Sequence, residues 1–317
     1  MNRWWPLIAL QMVLAVSSLA FPFAPLRELN PDLATTILIE LRLPRTLLAL
    51  GYGAALGASG AALQALFANP LASPDVTGSS SGAALGAVFA AYWLSVTAPL
   101  GLALAGALGA VAALALLFAL AGRNAEPASL LLAGIAVSLA AGAATSLLLA
   151  LAPSPFAFYD SFDWLMGNFI DRSLEQAAAA LIPAALALVF LAARAKALDL
   201  LVLGDDVAAS MGLKPRRLAT DVIVASAIAV GACVSVCGAI GFVGLIAPVI
   251  ARRMTRGHPG RAILPSALLG SIIVMVADLM VRLIPLDRPI PVGVVTTLAG
   301  TPVFIAVLLS MRRRLAS

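Results

Sequence analysis

The stretch RLPRTLLALGYGAALGASGAALQALFANPLASPDVTGSSSG, from Arg42 to Gly82, decides how this chain is organised. Two arginines precede an apolar, glycine-studded run, and an Asn-Pro and Ser-Pro turn ends it. A mostly apolar run of about 20 residues is long enough to cross a bilayer core as a helix. The stretch therefore predicts a membrane-spanning helix with two cations at one water interface, followed by a reversal of the chain.

The composition of the whole chain predicts a membrane protein. Of its 317 residues, 62% are hydrophobic and only 11% are charged, whereas a soluble domain carries about 25% charged residues. Apolar runs of membrane length recur from end to end, which predicts an all-α membrane protein with a single transmembrane domain over residues 1–317. The expected spans are ten: 5–22, 45–67, 76–95, 99–121, 128–151, 176–194, 219–237, 239–254, 263–284 and 291–310.

The basic residues predict the orientation of these spans. Ten spans place both termini on the same side, and cytoplasmic loops carry an excess of Lys and Arg. With cytoplasmic termini, 14 of the 20 basic residues lie inside and six outside. This clustering in short loops also argues against nucleic acid as the partner of a chain whose net charge is +5.

One segment between spans, residues 195–218, is longer than a turn and is predicted to face the cytoplasm. It contains LDLLVLGDDVAASMGLKPRRL, with two acidic residues after Gly204 and basic residues beyond Gly212. Acidic residues at the start of a short helix and basic residues after its end interact favourably with the helix dipole. Such a helix is too short to span, so it lies on the membrane surface or against a partner.

Three arginines share the predicted outer face, namely Arg42, Arg45 and Arg282. They could receive carboxylates from an external protein partner or contact the phosphates of lipid headgroups. Asp278 stands four residues before Arg282, so the two could pair on one helix face. An ionisable residue near a span also supports a second hypothesis, an ion-coupled transporter that uses Asp278 as its ion site.

Residues for catalysis, metal binding or nucleotide binding are lacking in the sequence. The single histidine, His258, lies in a basic loop, and no Gly-rich loop carries the Lys-Ser/Thr of a P-loop. Cys233 and Cys237 lie one helical turn apart in an apolar run, which favours a packing role. We therefore expect a non-enzyme without cofactor or metal. Candidate residues for a polar pathway are Gln64, Ser79, Ser80 and Ser81.

Motifs along the chain resemble the FecCD/cobalamin-type permease family, the transmembrane subunits of bacterial type II ATP-binding cassette (ABC) importers for iron-siderophores, haem and cobalamin. The resemblance runs from about residue 42 to the C-terminus. It is carried by RLPR at 42–45, NPLASP at 69–74, WLMG at 164–167, GAIGFVGLIAP at 238–248, PVGVVT at 291–296 and GTPVF at 300–304.

The resemblance implies a permease fold of ten spans in the bacterial inner membrane and a pair of permease copies, either two identical chains or this chain with a paralogue. It also implies cytoplasmic ATPase subunits and a periplasmic binding protein whose acidic residues meet Arg42, Arg45 and Arg282. The segment 195–218 then couples to the ATPase. The residues implied there are Leu203, Gly204, Asp205, Ala208, Ala209, Met211 and Gly212, of which we expect Gly204, Ala208 and Gly212 to seat the partner.

Overall fold

The structure, a computed structural model, describes residues 4–21, 31–122, 127–152, 164–284 and 290–315. The described residues form helices joined by turns and irregular segments, with no β-strand among them. The prediction of an all-α fold is therefore confirmed. The longer helices are α1 Trp5–Ala20, α2 Pro31–Leu66, α3 Ser79–Trp93, α4 Pro99–Ala121, α5 Pro127–Ala150, α6 Leu174–Ala193, α9 Pro215–Cys237, α10 Val243–Met254, α11 Ile263–Leu283 and α12 Val292–Leu315.

Two short helices, α7 Ala195–Leu200 and α8 Asp205–Ser210, lie between α6 and α9, and 3₁₀ turns occupy Leu201–Leu203 and Gly260–Ala262. Six of the described helices are long and apolar enough to cross a membrane: α2, α4, α5, α6, α9 and, with its preceding turn, α11. The helices α1 and Val292–Ala306 of α12 are apolar but shorter. A count of ten spans stays a prediction.

Small residues let the central helix, α2, touch its neighbours along its backbone. A Cβ added at Gly57 would lie 2.0 Å from the carbonyl oxygen of Ser266 in α11. One added at Gly60 would lie 1.8 Å from the carbonyl oxygen of Gly244 in α10. Because lipid and protein are equally apolar, close packing of this kind rather than water exclusion holds helices together in a bilayer.

The chain breaks its helical path between α9 and α10. Gly238 and Phe242 both have positive φ, 74° and 65°, and hydrogen bonds from other segments satisfy the end of α9. The Trp164 indole donates to the Val236 carbonyl at 3.1 Å, and the Asn168 amide donates to the Cys237 carbonyl at 2.8 Å. Non-helical backbone is tolerated in a membrane protein where other protein segments satisfy it.

Candidate functional site

The three predicted docking arginines lie at one end of the bundle, and two of them, Arg45 and Arg282, share a single carboxylate. Arg45 donates to Oδ1 of Asp278 through Nε at 2.9 Å, and its Nη2 lies 2.8 Å from the same oxygen. Arg282 donates to Oδ2 through Nη2. The Asp278 side chain is 1% exposed. The expected pairing of Asp278 with Arg282 is confirmed, and Arg45 joins it from α2.

Two of the three arginines, Arg282 and Arg42, hold the end of α1. Arg282 donates to the Ser18 carbonyl at 2.8 Å, and Arg42 donates to the Leu19 carbonyl at 2.9 Å. The last carbonyls of a helix lack partners within the helix, so these contacts cap α1. A hydrogen bond of 2.7 Å between the hydroxyls of Ser18 and Thr46 completes the junction. We call Arg42, Arg45, Arg282 and Asp278 the arginine cluster.

Local backbone geometry helps to place Arg42. The segment Ile37–Arg42 of α2 is a π-helix, in which the Leu43 amide bonds to the Leu38 carbonyl five residues earlier. Such wider turns are frequent at functional positions. The arginines are nonetheless largely covered, since Arg42 is 9% exposed and the side chains of Arg45 and Arg282 are 17% and 10% exposed. Arg45 is thus the most exposed of the three arginines.

The predicted coupling segment lies at the opposite end of α11. Four of its apolar side chains are strongly exposed, with Val202 68%, Leu203 55%, Val207 47% and Met211 59% accessible. Asp205 and Ala209 are exposed as well. We call Val202, Leu203, Val207 and Met211 the α7–α8 surface. An exposed apolar patch of this kind is typical of an interaction site.

The expectation that Ala208 seats a partner needs correction, because its side chain is 0% exposed and faces its own chain. The two glycines of the segment have a conformational role. Gly204 has φ 93° and Gly212 has φ 84°, and a Cβ at either would meet nothing within 4 Å. Both positions are left-handed turns that favour glycine, so the turns orient the exposed residues between them.

A large cavity of about 840 Å³ lies where five segments converge. The loop after α2 contributes Asn69 and Asp75, α5 contributes Ile135, the Trp-Leu-Met-Gly turn contributes Met166, the break between α9 and α10 contributes Phe242, and α12 contributes Thr297. The Ser138 hydroxyl of α5 donates to the Asp75 carbonyl at 2.9 Å, which ties α5 to this loop. Pockets of this size suit small organic ligands.

The four residues expected along a pathway lie elsewhere, at contacts between and within helices. The Gln64 amide donates to the Leu245 carbonyl at 3.2 Å, and the Ser79 hydroxyl donates to the Pro74 carbonyl at 3.0 Å. Ser80 is buried and Ser81 is half-buried. None of them lines the large cavity. Of the cavity residues named above, Asn69, Met166 and Phe242 belong to the quoted motifs, whereas Asp75, Ile135 and Thr297 lie outside them.

Two further expectations concern single residues. The predicted span 219–237 places Asp221 near the start of a helix, where its carboxylate would act as a cap. In the structure, Asp221 lies six residues into α9 and instead pairs with Arg194 at 2.8 Å. The helix begins earlier, at Pro215, so the cap position is taken by Lys214. Cys233 and Cys237 are unbridged and fully buried, as small packing residues are. Among the described residues, no group of three His, Cys, Asp or Glu could hold a metal ion.

Comparison with known sequences adds the family. The sequence pattern of the FecCD transport family matches residues 7–310. The cobalamin import system permease protein BtuC of Halobacterium salinarum is 37% identical over 288 residues, which cover 90% of this chain and 76% of that protein. The Fe(3+)-citrate import system permease protein YfmE of Bacillus subtilis is 37% identical, over 86% of this chain and 81% of its own length.

Comparison with solved structures agrees. A metal-chelate type ABC transporter, solved in an inward-facing conformation, superposes with a TM-score of 0.84 and 30% sequence identity. The match covers 96% of this chain and 97% of that one. The family is one of multi-pass membrane permease subunits, which are not themselves enzymes. With the family pattern, the similar sequences and the shared fold in agreement over nearly its whole length, the chain belongs to the FecCD transport family.

Proposed function

We propose that this chain is the transmembrane subunit of an ABC importer that carries an iron-siderophore complex across the bacterial inner membrane. Haem and cobalamin are the other members of the same class of bulky chelate cargo. The observation that carries the proposal is the cavity of about 840 Å³ at the convergence of five segments. It combines a mostly apolar wall with a few polar groups, as sites for organic ligands do.

The cavity is bordered by helices whose apolar side chains have no partner in a single chain. Leu132 and Leu139 of α5 are 69% and 71% exposed, and Leu298 of α12 is 70% exposed. A second permease copy, identical or a paralogue, packed on α5 and α12 would cover these side chains and close the cavity from the other side. The pathway would then run between the two copies.

The energy source in this proposal is a separate ATPase chain that binds the α7–α8 surface. Such a partner would bury the exposed apolar side chains of this surface, Val202, Leu203, Val207 and Met211. Exposed Asp205 and Asp206 lie beside them and supply polar contacts at the rim. A partner can drive the permease between two states only if it binds those states differently.

Loading from outside is assigned to the arginine cluster. It combines three guanidinium groups with one carboxylate and therefore keeps an excess of positive charge. This excess supports docking of an acidic face of a binding protein, with Arg45 as the most accessible donor. The orientation that follows has both termini in the cytoplasm, with membrane lipid around α4, α5 and α6.

An ion-coupled transporter that uses Asp278 is disfavoured, because both oxygens of Asp278 already accept from guanidinium groups. The proposal is tested in proteoliposomes containing the chain alone, or the chain with its ATPase subunit and binding protein. Uptake of a ferric siderophore, haem and cyanocobalamin is measured with and without ATP. We expect ATP-dependent uptake of one cargo by the full assembly only. Uptake by the lone chain, or uptake driven by membrane potential without ATP, would contradict the proposal.

A further inference from the structure

One carboxylate links the α7–α8 segment to a distant part of the chain. Asp199 lies on α7, and its Oδ1 accepts a hydrogen bond of 2.8 Å from the backbone amide of Gly260. Gly260 begins the 3₁₀ turn Gly260–Ala262, which runs directly into α11 at Ile263. Asp199 therefore contacts the start of a long helix that is 61 residues away in sequence.

The chemistry of this contact is that of a helix cap supplied by another segment. The first amides of a helix have no carbonyl partner within the helix, and a carboxylate there also interacts favourably with the helix dipole. Pro259 occupies the position before the turn, and it has no side chain that can cap. Asp199 supplies the missing acceptor, so α7 and α11 are joined by a charge-assisted hydrogen bond.

Close backbone packing also holds the 3₁₀ turn against α7. A Cβ added at Gly260 would lie 1.8 Å from the Ala195 carbonyl oxygen, so the turn lies directly on the backbone of α7. Leu198, next to Asp199, is 0% exposed. The end of α7 cannot move away from the start of α11 without losing both the hydrogen bond and this close packing.

Helix α11 connects this contact to the arginine cluster. It has 21 residues, which corresponds to a length of about 30 Å. Its last turns carry Asp278 and Arg282, and its middle touches α2, where a Cβ at Gly270 would lie 2.1 Å from the Gly53 carbonyl oxygen. One stiff helix thus spans from the α7–α8 surface to the junction with α1.

We propose that Asp199 is a positioning residue that ties the α7–α8 surface to α11, so that movement imposed there by an ATPase is passed along α11 to the arginine cluster. This inference rests on the proposed function. It assigns Asp199 and Gly260, neither of which is on the exposed partner-binding surface, to the transmission of the conformational change.

The test uses the assembled importer and hydrogen–deuterium exchange, with no cargo needed. In the wild type, trapping with ATP and vanadate should change exchange in residues 195–210 and also in 260–283. Asp199→Ala should keep the change in 195–210 and lose it in 278–283. Because a hydrogen bond to a charged group is lost, exchange at the Gly260 amide should rise about ten-fold or more.

Two matched variants distinguish a loss of conformational transmission from a general disturbance of the fold. Asp199→Asn keeps an oxygen that can accept from the Gly260 amide and should retain the response at 278–283. Thr220→Ala removes a hydroxyl that donates only within α9, to the Arg216 carbonyl, and should behave as wild type. If the change in exchange in the wild type were confined to residues 195–210, the inference would be overturned. This measurement does not depend on any variant folding correctly. An intact response at 278–283 in Asp199→Ala would also overturn the inference. Failure of the ATPase to bind the wild-type chain would instead contradict the proposed function.

Discussion

Replacing Asp278 by Asn is the most direct test of how the arginine cluster holds three helices together. Asp278 accepts from Arg45 on α2 and from Arg282 on its own helix, and its side chain is 1% exposed. Asn keeps the shape but replaces one acceptor oxygen by an amide that donates. One guanidinium would then face a donor instead of a carboxylate, in a site from which water is largely excluded.

The structure sets the size of the expected effect. Removing one partner of a buried ion pair typically costs about 3–5 kcal/mol, because the remaining charge is left unpaired. Here two partly buried guanidinium groups lose their shared counter-ion, so Asp278→Asn should lower the free energy of unfolding by about 3 kcal/mol or more. Removing Arg45 in addition to Asp278→Asn should cost less than the sum of the two single changes, because the guanidinium of Arg45 is then no longer left unpaired.

The assay is unfolding in mixed detergent micelles, followed by the fluorescence of the four tryptophans. The matched control is Asp221→Asn, because Asp221 pairs with Arg194 in a much more exposed setting, with side chains 22% and 38% accessible. Such a pair contributes about 0–1 kcal/mol. If Asp278→Asn were no more destabilising than Asp221→Asn, the reasoning about the buried cluster would be refuted.

Three further predictions concern packing and the two partner surfaces. Gly60→Ala should destabilise the fold by about 1–3 kcal/mol through overpacking against Gly244. Gly142→Ala, whose new Cβ meets nothing within 4 Å, should instead stabilise α5 by about 0.5–1 kcal/mol. The same unfolding assay compares the two variants, and equal effects would contradict the close contact between Gly60 and Gly244. Arg45→Glu should weaken binding-protein association, with a larger loss at low salt, and binding titrations at two salt concentrations measure it; unchanged affinity would favour lipid headgroups as the partner. Met211→Asp should reduce co-purification of the ATPase subunit, and full retention would place that interface elsewhere.

The location of the arginine cluster has a consequence for docking. The arginines that would receive a partner's carboxylates also hold the terminal carbonyls of α1, through Ser18 and Leu19. Arg45, which makes no described bond to α1, can exchange contacts without releasing that helix. We therefore expect substitutions of Arg45 to leave the attachment of α1 in place, whereas substitutions of Arg42 would also disturb it.

Local patterns predicted the helices and the contacts within a helical turn. The apolar run after Arg42 predicted a span over 45–67, and the structure has helix through Leu66. The spacing of four residues placed Asp278 and Arg282 together, because side chains at i and i+4 share a helix face. The predicted spans 219–237 and 239–254 separate at Gly238, and there the backbone adopts a positive φ that favours glycine.

Only the tertiary structure decided which face each helix presents to its neighbours. Arg45 meets Asp278 across 233 residues, Ala208 faces inward, and the cavity draws its wall from five separate segments. In a soluble helix an apolar stripe reveals the buried face. In a bilayer the lipid-facing and protein-facing sides are both apolar, and close contacts between small residues set the rotation of each helix. That information lies in the fit between surfaces and is absent from the hydrophobic pattern of any one segment.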